Sequence, residues 1–301
     1  MYVKNYFYKK SDLKLDNKSM IISDTKDFRN KYMSEVFYSL YENEFQKFKT
    51  NSATALLYCG GNAEHHSSSR IYQTNTPKGA VAIKSQLGYI ASKVAKRIGN
   101  IDFLSINTNT CASSMSAIHE AKRLLKYDNF DDVIIYGEEW VEENELLLFS
   151  QSNIDVVCSD GFFILHLSKD SKNAKARIDE TTFIWNDDRN PFEVSFDGYI
   201  KAMMPFLFSN IDCVKMHGTG TPQNDESEKK AIEHLFANID TIEYKSQIGH
   251  SQGCSTALEL CILIDEYYTT NPKRFSELKD NHILFNTSGM GNFYGSFELV
   301  I

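Results

Sequence analysis

The most informative stretch of this 301-residue sequence is residues 217–221, HGTGT, which directly follows an apolar run at residues 211–216 (IDCVKM). Two glycines within four residues of a histidine let the backbone pass close to a ligand or adopt positive φ. A lone histidine at the end of a strand is more often a hydrogen-bonded structural residue than a catalyst. The HGTGT sequence makes that reading less favourable, because a purely structural loop does not need so specific a sequence.

A second histidine turn follows in residues 245–253, KSQIGHSQG. Lys245 and His250 are separated by Ile248 and Gly249 at a point where the pattern changes from a short strand to a long apolar helix. Taken alone, the pair would be read as a surface lysine and a solvent-facing histidine. Its position at a strand-to-helix turn makes a functional role more favourable.

A cysteine occupies the corresponding position in residues 107–117, NTNTCASSMSA. Cys111 lies between a strand that we predict to be buried, Phe103–Asn107, and a helix rich in small residues. The free backbone N–H groups at a helix N-terminus stabilise a thiolate and can bind a developing oxyanion. Because a free cysteine is usually a small core residue, the setting alone is not decisive.

Apolar runs and helical periodicity alternate along the chain. We predict strands at residues 55–59, 103–107, 133–136, 162–167, 211–216, 241–244, 283–285 and 297–300, and helices at 79–98, 112–125, 226–236 and 256–268. Asp225 is the predicted N-cap of the third helix. This pattern predicts an α/β protein with a parallel or mixed sheet covered by helices. A polar stretch near residues 168–180 divides the chain into two similar halves, residues 1–170 and 171–301.

Composition limits the function classes. The net charge of −8 and the absence of a basic stripe argue against nucleic-acid binding. Six cysteines without a CxxC pair support neither a structural zinc site nor a thioredoxin-type motif. No apolar run reaches the ~18 residues that a bilayer span needs, and the N-terminal sequence lacks the apolar core of a signal peptide. We therefore expect a cytoplasmic protein without a metal.

Taken together, these segments resemble the β-ketoacyl synthase (ketosynthase) family of the thiolase fold. The order of motifs is that of the family: a cysteine in a TxCxSS-like turn (110–114), HGTGTxxxDxxE (217–228), KxxxGH (245–250) and a glycine-rich stretch before the last strand (286–291, NTSGMG). The resemblance extends from about residue 79 to the end of the chain. It implies two pseudo-duplicated βαβαβ halves, with mixed sheets and buried helices between them.

The resemblance also implies a reaction. His217 and His250 fill both histidine positions, which is typical of the elongating, decarboxylating branch. Cys111 would accept an acyl group from an acyl carrier protein, and the backbone N–H groups of Cys111 and Met290 would hold the oxyanion. A malonyl thioester would then bind its carbonyl oxygen between the two histidines, lose carbon dioxide and attack the acyl group. No cofactor is implied beyond the phosphopantetheine of the carrier protein.

Other family positions have supporting roles by the same resemblance. Lys245 would tune the charge near His250, and Glu228 would orient backbone and water. The remaining expected site residues are the loop glycines and the threonines of the HGTGT motif, which we assign to oxyanion support and substrate binding respectively: Gly289, Gly291, Thr219 and Thr221. The chain departs from the family in being short and in having Met290 where an aromatic gate is usual, so the acyl length stays open.

Two alternatives remain. The chain could be an acyltransferase of the same fold that does not decarboxylate, or a partner subunit like the chain-length factors, although these usually lose the cysteine. We expect an acyl carrier protein and a second ketosynthase-like chain, identical or not, as partners. Because carrier proteins are acidic, docking requires local positive charge, for which the sequence offers Lys84, Lys93, Lys96 and Arg97.

Overall fold

A computed structural model describes residues 1–11, 19–20, 33–60, 86–141, 151, 156–187, 190, 194–270, 275 and 281–301. The strands in these segments are β1 (Tyr2–Lys10), β2 (Ser19–Met20), β3 (Thr54–Cys59), β4 (Phe103–Asn107), β5 (Asp132–Glu139), β6 (Cys158–Ser159), β7 (Gly161–Ser168), β8 (Ala176–Trp185), β9 (Cys213–Lys215), β10 (Asp240–Ile242), β11 (His282–Gly289) and β12 (Phe293–Val300). The helices are α1 (Met33–Gln46), α2 (Leu87–Ile98), α3 (Ser113–Tyr127), α4 (Phe196–Met203), α5 (Pro222–Leu235), α6 (Lys245–Ile248) and α7 (Ser255–Asp265).

The main sheet has ten strands in the order β10-β9-β11-β12-β8-β1-β7-β5-β3-β4. Read outward from its centre, the two halves repeat one arrangement: in each, two antiparallel pairs are followed by two parallel pairs. The halves join where Tyr2 and Val3 of β1 pair with Arg177 and Ala176 of β8. The predicted α/β architecture of two pseudo-duplicated halves is therefore confirmed.

Helices α3 and α7 are the buried helices of the two halves, and they occupy equivalent places after β4 and β10. They contact each other, and each also packs on strands from the opposite half: α3 on β8, and α7 on β7 and β1. Every residue of α7 from Ser255 to Ile264 is buried, as expected for a helix that is apolar on nearly all sides. This packing brings the N-terminal turns of both helices together at the centre of the molecule.

The structure corrects several details of the sequence interpretation. Strand β4 is not buried but lies at the edge of the sheet, where Phe103 and Ile106 each keep 37% of their surface exposed. Thr221, not Asp225, occupies the N-cap position of α5. Strands β1 and β8 were missed, and β8 begins inside the stretch that we had read as a polar connection. Residues 79–85 of the first predicted helix lie outside the described residues.

Candidate functional site

Cys111 lies in a strained turn that connects β4 to α3. Residues Thr110–Ala112 form one turn of 3₁₀ helix, and Thr110 has a φ of 51°, a left-handed conformation that a β-branched residue adopts only at an energetic cost. The hydroxyl of Thr110 donates a hydrogen bond of 2.8 Å to the backbone carbonyl of Met290. The turn with the cysteine is therefore tied directly to the loop between β11 and β12.

The thiol of Cys111 is buried, with 7% of the residue exposed. Burial raises its pKa to about 11; the charge of Glu139 acts in the same direction, whereas Lys245 and the backbone N–H groups of Met290 and Cys111 oppose the shift. The helix-tip position does supply the N–H groups expected from the sequence. Their effect is smaller than that of burial, however, so at neutral pH the sulfur carries its proton.

His217 follows β9, and its position is fixed by Glu228 of α5. The Glu228 carboxylate accepts hydrogen bonds from the backbone N–H groups of His217 at 2.6 Å and Gly218 at 2.9 Å. Asn286 of β11 donates a third bond of 2.7 Å to the same carboxylate. Burial raises the pKa of Glu228, although these donors favour its charged form. Glu228 thus orients the backbone at His217, which is the kind of contact that its expected role requires.

The two threonines of the HGTGT loop contact each other. Their hydroxyl oxygens lie 2.7 Å apart. Asp225 of the following helix accepts the backbone N–H groups of Thr219 at 3.0 Å and Gly220 at 3.2 Å. Asp225 therefore braces the loop from within the first turn of α5, which explains why it is not the N-cap. Substrate binding by Thr219 and Thr221 stays a prediction.

His250 is held on both sides by the chain of the other half. Its backbone N–H donates to the carbonyl of Val157 at 2.7 Å, and its carbonyl accepts from Ser159 at 3.0 Å. Its Nδ1 lies 2.8 Å from the hydroxyl of Ser255. The rings of His217 and His250 meet edge to face, with their centroids 5.5 Å apart. The structure thus brings both predicted histidines into one site.

Lys245 connects the two histidine turns. Its Nζ donates to the backbone carbonyl of His217 and forms an ion pair of 2.8 Å with Glu259 of α7. Burial lowers the pKa of Lys245 to about 8, so it is mainly charged at neutral pH. Burial and then the charge of Lys245 lower the pKa values of His217 and His250 well below the usual range. Both imidazoles are consequently neutral at neutral pH.

Met290 lies in the loop between β11 and β12, which packs closely against the cysteine turn. A Cβ added at Gly289 would lie 2.8 Å from the Thr110 hydroxyl oxygen and 2.9 Å from the backbone nitrogen of Ala112. Gly291 has a φ of 88°, a conformation that favours glycine. Both glycines therefore serve to hold the Met290 N–H beside Cys111.

Replacement of Gly289 by alanine should destabilise the protein by about 1–3 kcal/mol, because the added methyl group overpacks this contact. We also expect the loop to move away from the cysteine turn, since backbone atoms cannot yield as a side chain can. Urea denaturation measures the first effect and thiol alkylation of Cys111 the second. Gly88→Ala in α2 is the matched control, because a Cβ there meets nothing within 4 Å. Equal stability of the two variants would contradict the close-contact argument.

The sequence interpretation missed two buried charges at this site, Glu259 and Lys215. Each is at most 1% exposed, and their side chains form an ion pair. The available signal was a charged residue inside an otherwise apolar element: Glu259 interrupts STALELCILID of α7, and Lys215 ends the short strand β9. Such residues are almost never fully buried unless they are paired.

Two further features of the described segments bear on function. None of their helices combines the length and the apolar character that crossing a bilayer requires. Within the same segments, no three His, Cys, Asp or Glu side chains are grouped so that they could share a metal ion.

Comparisons with known proteins match a sequence family over part of the chain and a fold over nearly all of it. Residues 201–265 match the sequence profile of the family described as "Beta-ketoacyl synthase, C-terminal domain". This segment contains α5, α6 and all of α7, together with His217, Lys245 and His250. No curated protein sequence matches the chain.

Solved structures of ketosynthases share the fold over nearly the whole chain. A chain from the complex of the ketosynthase ApeO with its chain length factor ApeC, from Xenorhabdus doucetiae, is 15% identical with a TM-score of 0.75, and the match covers 100% of this chain and 97% of that one. A type II polyketide synthase complex of a ketosynthase with its acyl-carrier protein (AntDE:AntF) gives 15% identity, a TM-score of 0.73, and coverage of 98% and 92%. A β-ketoacyl synthase from Burkholderia phymatum is 15% identical with a TM-score of 0.70, and the match covers 93% of this chain and 82% of that one.

At this level of identity the structures establish the fold, which is the thiolase-type fold of ketosynthases and their chain-length-factor partners. The predicted fold is therefore confirmed, and so is the resemblance to a divergent ketosynthase.

Proposed function

We propose that this chain is a β-ketoacyl-[acyl-carrier-protein] synthase that transfers an acyl group to Cys111 and then extends it by decarboxylative Claisen condensation with a malonyl thioester. The observation that carries the proposal is the pair of neutral imidazoles, His217 and His250, which lie edge to face at 5.5 Å beside a buried lysine. The family profile over residues 201–265 and the ketosynthase fold support the same reaction class.

In the first half-reaction, the Cys111 sulfur attacks the thioester carbonyl of the donor. Because burial keeps the thiol protonated, its proton must pass to a neutral imidazole as the carbon–sulfur bond forms. The backbone N–H groups of Cys111 and Met290 would stabilise the oxyanion. Collapse of the intermediate breaks the bond to the carrier sulfur, which leaves as a thiol after taking up the proton. The acyl group then remains on Cys111.

In the second half-reaction, the malonyl carbonyl oxygen would accept hydrogen bonds from both imidazoles. The Ser255 hydroxyl lies 2.8 Å from Nδ1 of His250 and can donate to it, and in that arrangement Nε2 carries the proton. Nδ1 of His217 is buried without a partner among the described residues, which leaves Nε2 as its donor. These donors stabilise the enolate that forms when carbon dioxide leaves. The enolate carbon attacks the acyl carbonyl, and the Cys111 thiolate departs and regains a proton.

A basic cleft between α1 and α2 is the docking site that we propose for the acidic carrier protein. The cleft has a volume of about 510 Å³. Its cationic lining includes three residues of the predicted patch and one further lysine: Lys93, Lys96, Arg97 and Lys49. Lys84 lies outside the described residues. In a chain with a net charge of −8, four cations around one cleft would attract a negatively charged partner.

The exposed edge of the sheet supports pairing with a second chain of the same fold. Strands β4 and β10 are the two edges and hold equivalent places in the two halves. Strand β4 exposes the apolar side chains of Phe103 and Ile106, whereas β10 exposes Asp240 and Thr241. An apolar edge strand favours association, whereas polar residues oppose it. We therefore place the dimer interface at β4.

Phe103→Lys should weaken self-association by about 10- to 100-fold, because it replaces one of the two exposed apolar side chains of this edge with a charge. Analytical ultracentrifugation over a range of protein concentrations measures the effect. Thr241→Lys makes the equivalent change on β10 and should leave the association unchanged. A wild-type protein that stays monomeric, or equal loss in both variants, would contradict an interface at β4.

Two other functions remain testable. An acyltransferase of this fold that does not decarboxylate would also load Cys111, but it would return a product without the two-carbon extension. A partner subunit like a chain-length factor would be inactive alone and would co-purify with another ketosynthase. The presence of Cys111 and both histidines favours an active enzyme, and the six free buried cysteines suit a reducing compartment such as the cytoplasm.

The decisive experiment is intact-protein mass spectrometry after mixing with a panel of acyl-carrier thioesters. We expect one acyl adduct on the wild type, none on Cys111→Ala, and an unchanged adduct on the control Cys261→Ala, whose cysteine is buried in α7. Addition of malonyl-carrier protein should release carbon dioxide and a β-keto product. The proposal is wrong if no acyl adduct forms, or if adducts form without decarboxylation.

A further inference from the structure

Lys215 is a buried lysine for which the reaction above has no use. It ends strand β9, two residues before His217, and none of its surface is exposed. Its Nζ forms an ion pair with Glu259 and lies 5.4 Å from the centre of the Phe285 ring. A buried ammonium group is tolerated only when it is paired, so its presence beside the site needs an explanation.

The carboxylate of Glu259 is shared between two lysines. Its Oε2 contacts Lys215, and its Oε1 lies 2.8 Å from Nζ of Lys245. Lys245 in turn donates to the backbone carbonyl of His217. These contacts link Lys215 at the end of β9 to Glu259 of α7, Glu259 to Lys245 of α6, and Lys245 to the backbone of His217, two residues after Lys215.

Lys215 limits how many oxygens of Glu259 can contact Lys245. A carboxylate that is free to turn could offer both oxygens to Lys245 and cancel its charge. With Oε2 held by Lys215, only Oε1 remains, and Lys245 keeps a proton directed at the His217 carbonyl. Burial, and then the charge of Lys245, lowers the pKa of Lys215 well below its usual range. Other ionisable groups act on the two lysines from neighbouring elements: Glu228 of α5, Glu243 before α6, Asp225 and Cys111.

We propose that Lys215 is a positioning residue: it fixes Glu259 so that Lys245 anchors the His217 turn beside the two imidazoles. Lys215 also lowers the pKa values of His217 and His250 directly, but it is the smallest of the causes, after burial, Lys245 and, for His217, His250. The effect of Lys215 on turnover rests on the proposed function, whereas its effect on the imidazoles does not.

The test uses Lys215→Met, Lys215→Arg as the conservative variant, and Lys230→Met as a surface control. Lys215→Met leaves Glu259 and Lys245 as a balanced pair, so we expect it to fold with a melting temperature no lower than that of the wild type. NMR titration of the two imidazoles should show their pKa values raised in Lys215→Met, because Glu259 is then free to turn both oxygens to Lys245 and cancel its charge. Lys215→Arg and Lys230→Met should both titrate as the wild type does.

A second readout is catalytic. Malonyl decarboxylation by Lys215→Met should lose about tenfold in kcat with little change in KM, while acyl loading of Cys111 stays within about twofold. Lys215→Arg should restore most of the rate. If the wild type does not decarboxylate, the proposed function fails, but the titration still tests Lys215. Unchanged imidazole titration in Lys215→Met, or failure of that variant to fold, would overturn the positioning role.

Discussion

Alkylation of Cys111 by iodoacetamide should accelerate about tenfold for each pH unit between roughly pH 7 and 10, because only the thiolate reacts. The pKa of the thiol lies at about 11, above its ordinary value, so the thiolate fraction is small at neutral pH and rises with pH. Rates followed by intact-protein mass spectrometry at several pH values give the profile. Over three pH units the expected increase is about a thousandfold.

The matched control is Cys111→Ser, which should take up no label in the folded state. The other cysteines are also buried, and burial raises the pKa values of Cys59 and Cys254 well above the ordinary range. The wild type should therefore gain one alkyl group before it unfolds. A rate that levels off near neutral pH would show that the thiolate is stabilised and that burial does not dominate.

Glu259→Gln should lower the free energy of unfolding by about 3–5 kcal/mol, because it removes the only carboxylate that the described structure places in ion pairs with Lys215 and Lys245. Two buried ammonium groups would then remain without their shared counter-charge. Chemical denaturation at neutral pH measures the loss. The pKa of Lys245 in the folded protein, about 8, lies below that of an exposed lysine, so the loss should shrink as the pH rises above that value.

A control on the surface separates this effect from the general loss of a carboxylate. Glu226 pairs with Lys230 on the exposed side of α5, with both side chains more than 60% exposed. Glu226→Gln should leave the unfolding midpoint unchanged within error, because exposed ion pairs contribute little. Lys215→Met tests the opposite case: it removes one lysine but leaves Glu259 paired with Lys245, so we expect no loss of stability. If Glu259→Gln were as stable as Glu226→Gln, the two-lysine pairing would be wrong.

The core strands of this fold can be predicted from sequence, whereas the strands that join the halves cannot. Strands β3, β5 and β7 are continuous apolar runs because helices cover both of their faces. Strand β8 reads ARIDETTFIW, in which polar residues are frequent, and β1 contains three lysines. Most residues of both strands are only partly buried, so their sequences carry little signal of burial.

The position of the site could be predicted from its sequence motifs, but the pKa values and ion pairs of its residues could not. Cys111, His217 and His250 lie in short segments whose sequences indicate turns with free N–H groups. Whether burial or those N–H groups control the thiol pKa depends on the packing of both halves, which no local sequence reveals. Similarly, Lys215 and Glu259 are 44 positions apart in the chain, so the sequence does not show that they pair.

The equivalence of the two buried helices has an evolutionary consequence. Thr110 and Gln252 open matching 3₁₀ turns with φ values of 51° and 44°, so Cys111 in one repeat corresponds to Gly253 in the other. A Cβ at Gly253 would lie 3.0 Å from a Glu139 oxygen. An ancestral duplication would have created two nucleophile positions facing each other. In the present chain one repeat has a cysteine at this position, and the other has a glycine that leaves room for the Glu139 carboxylate.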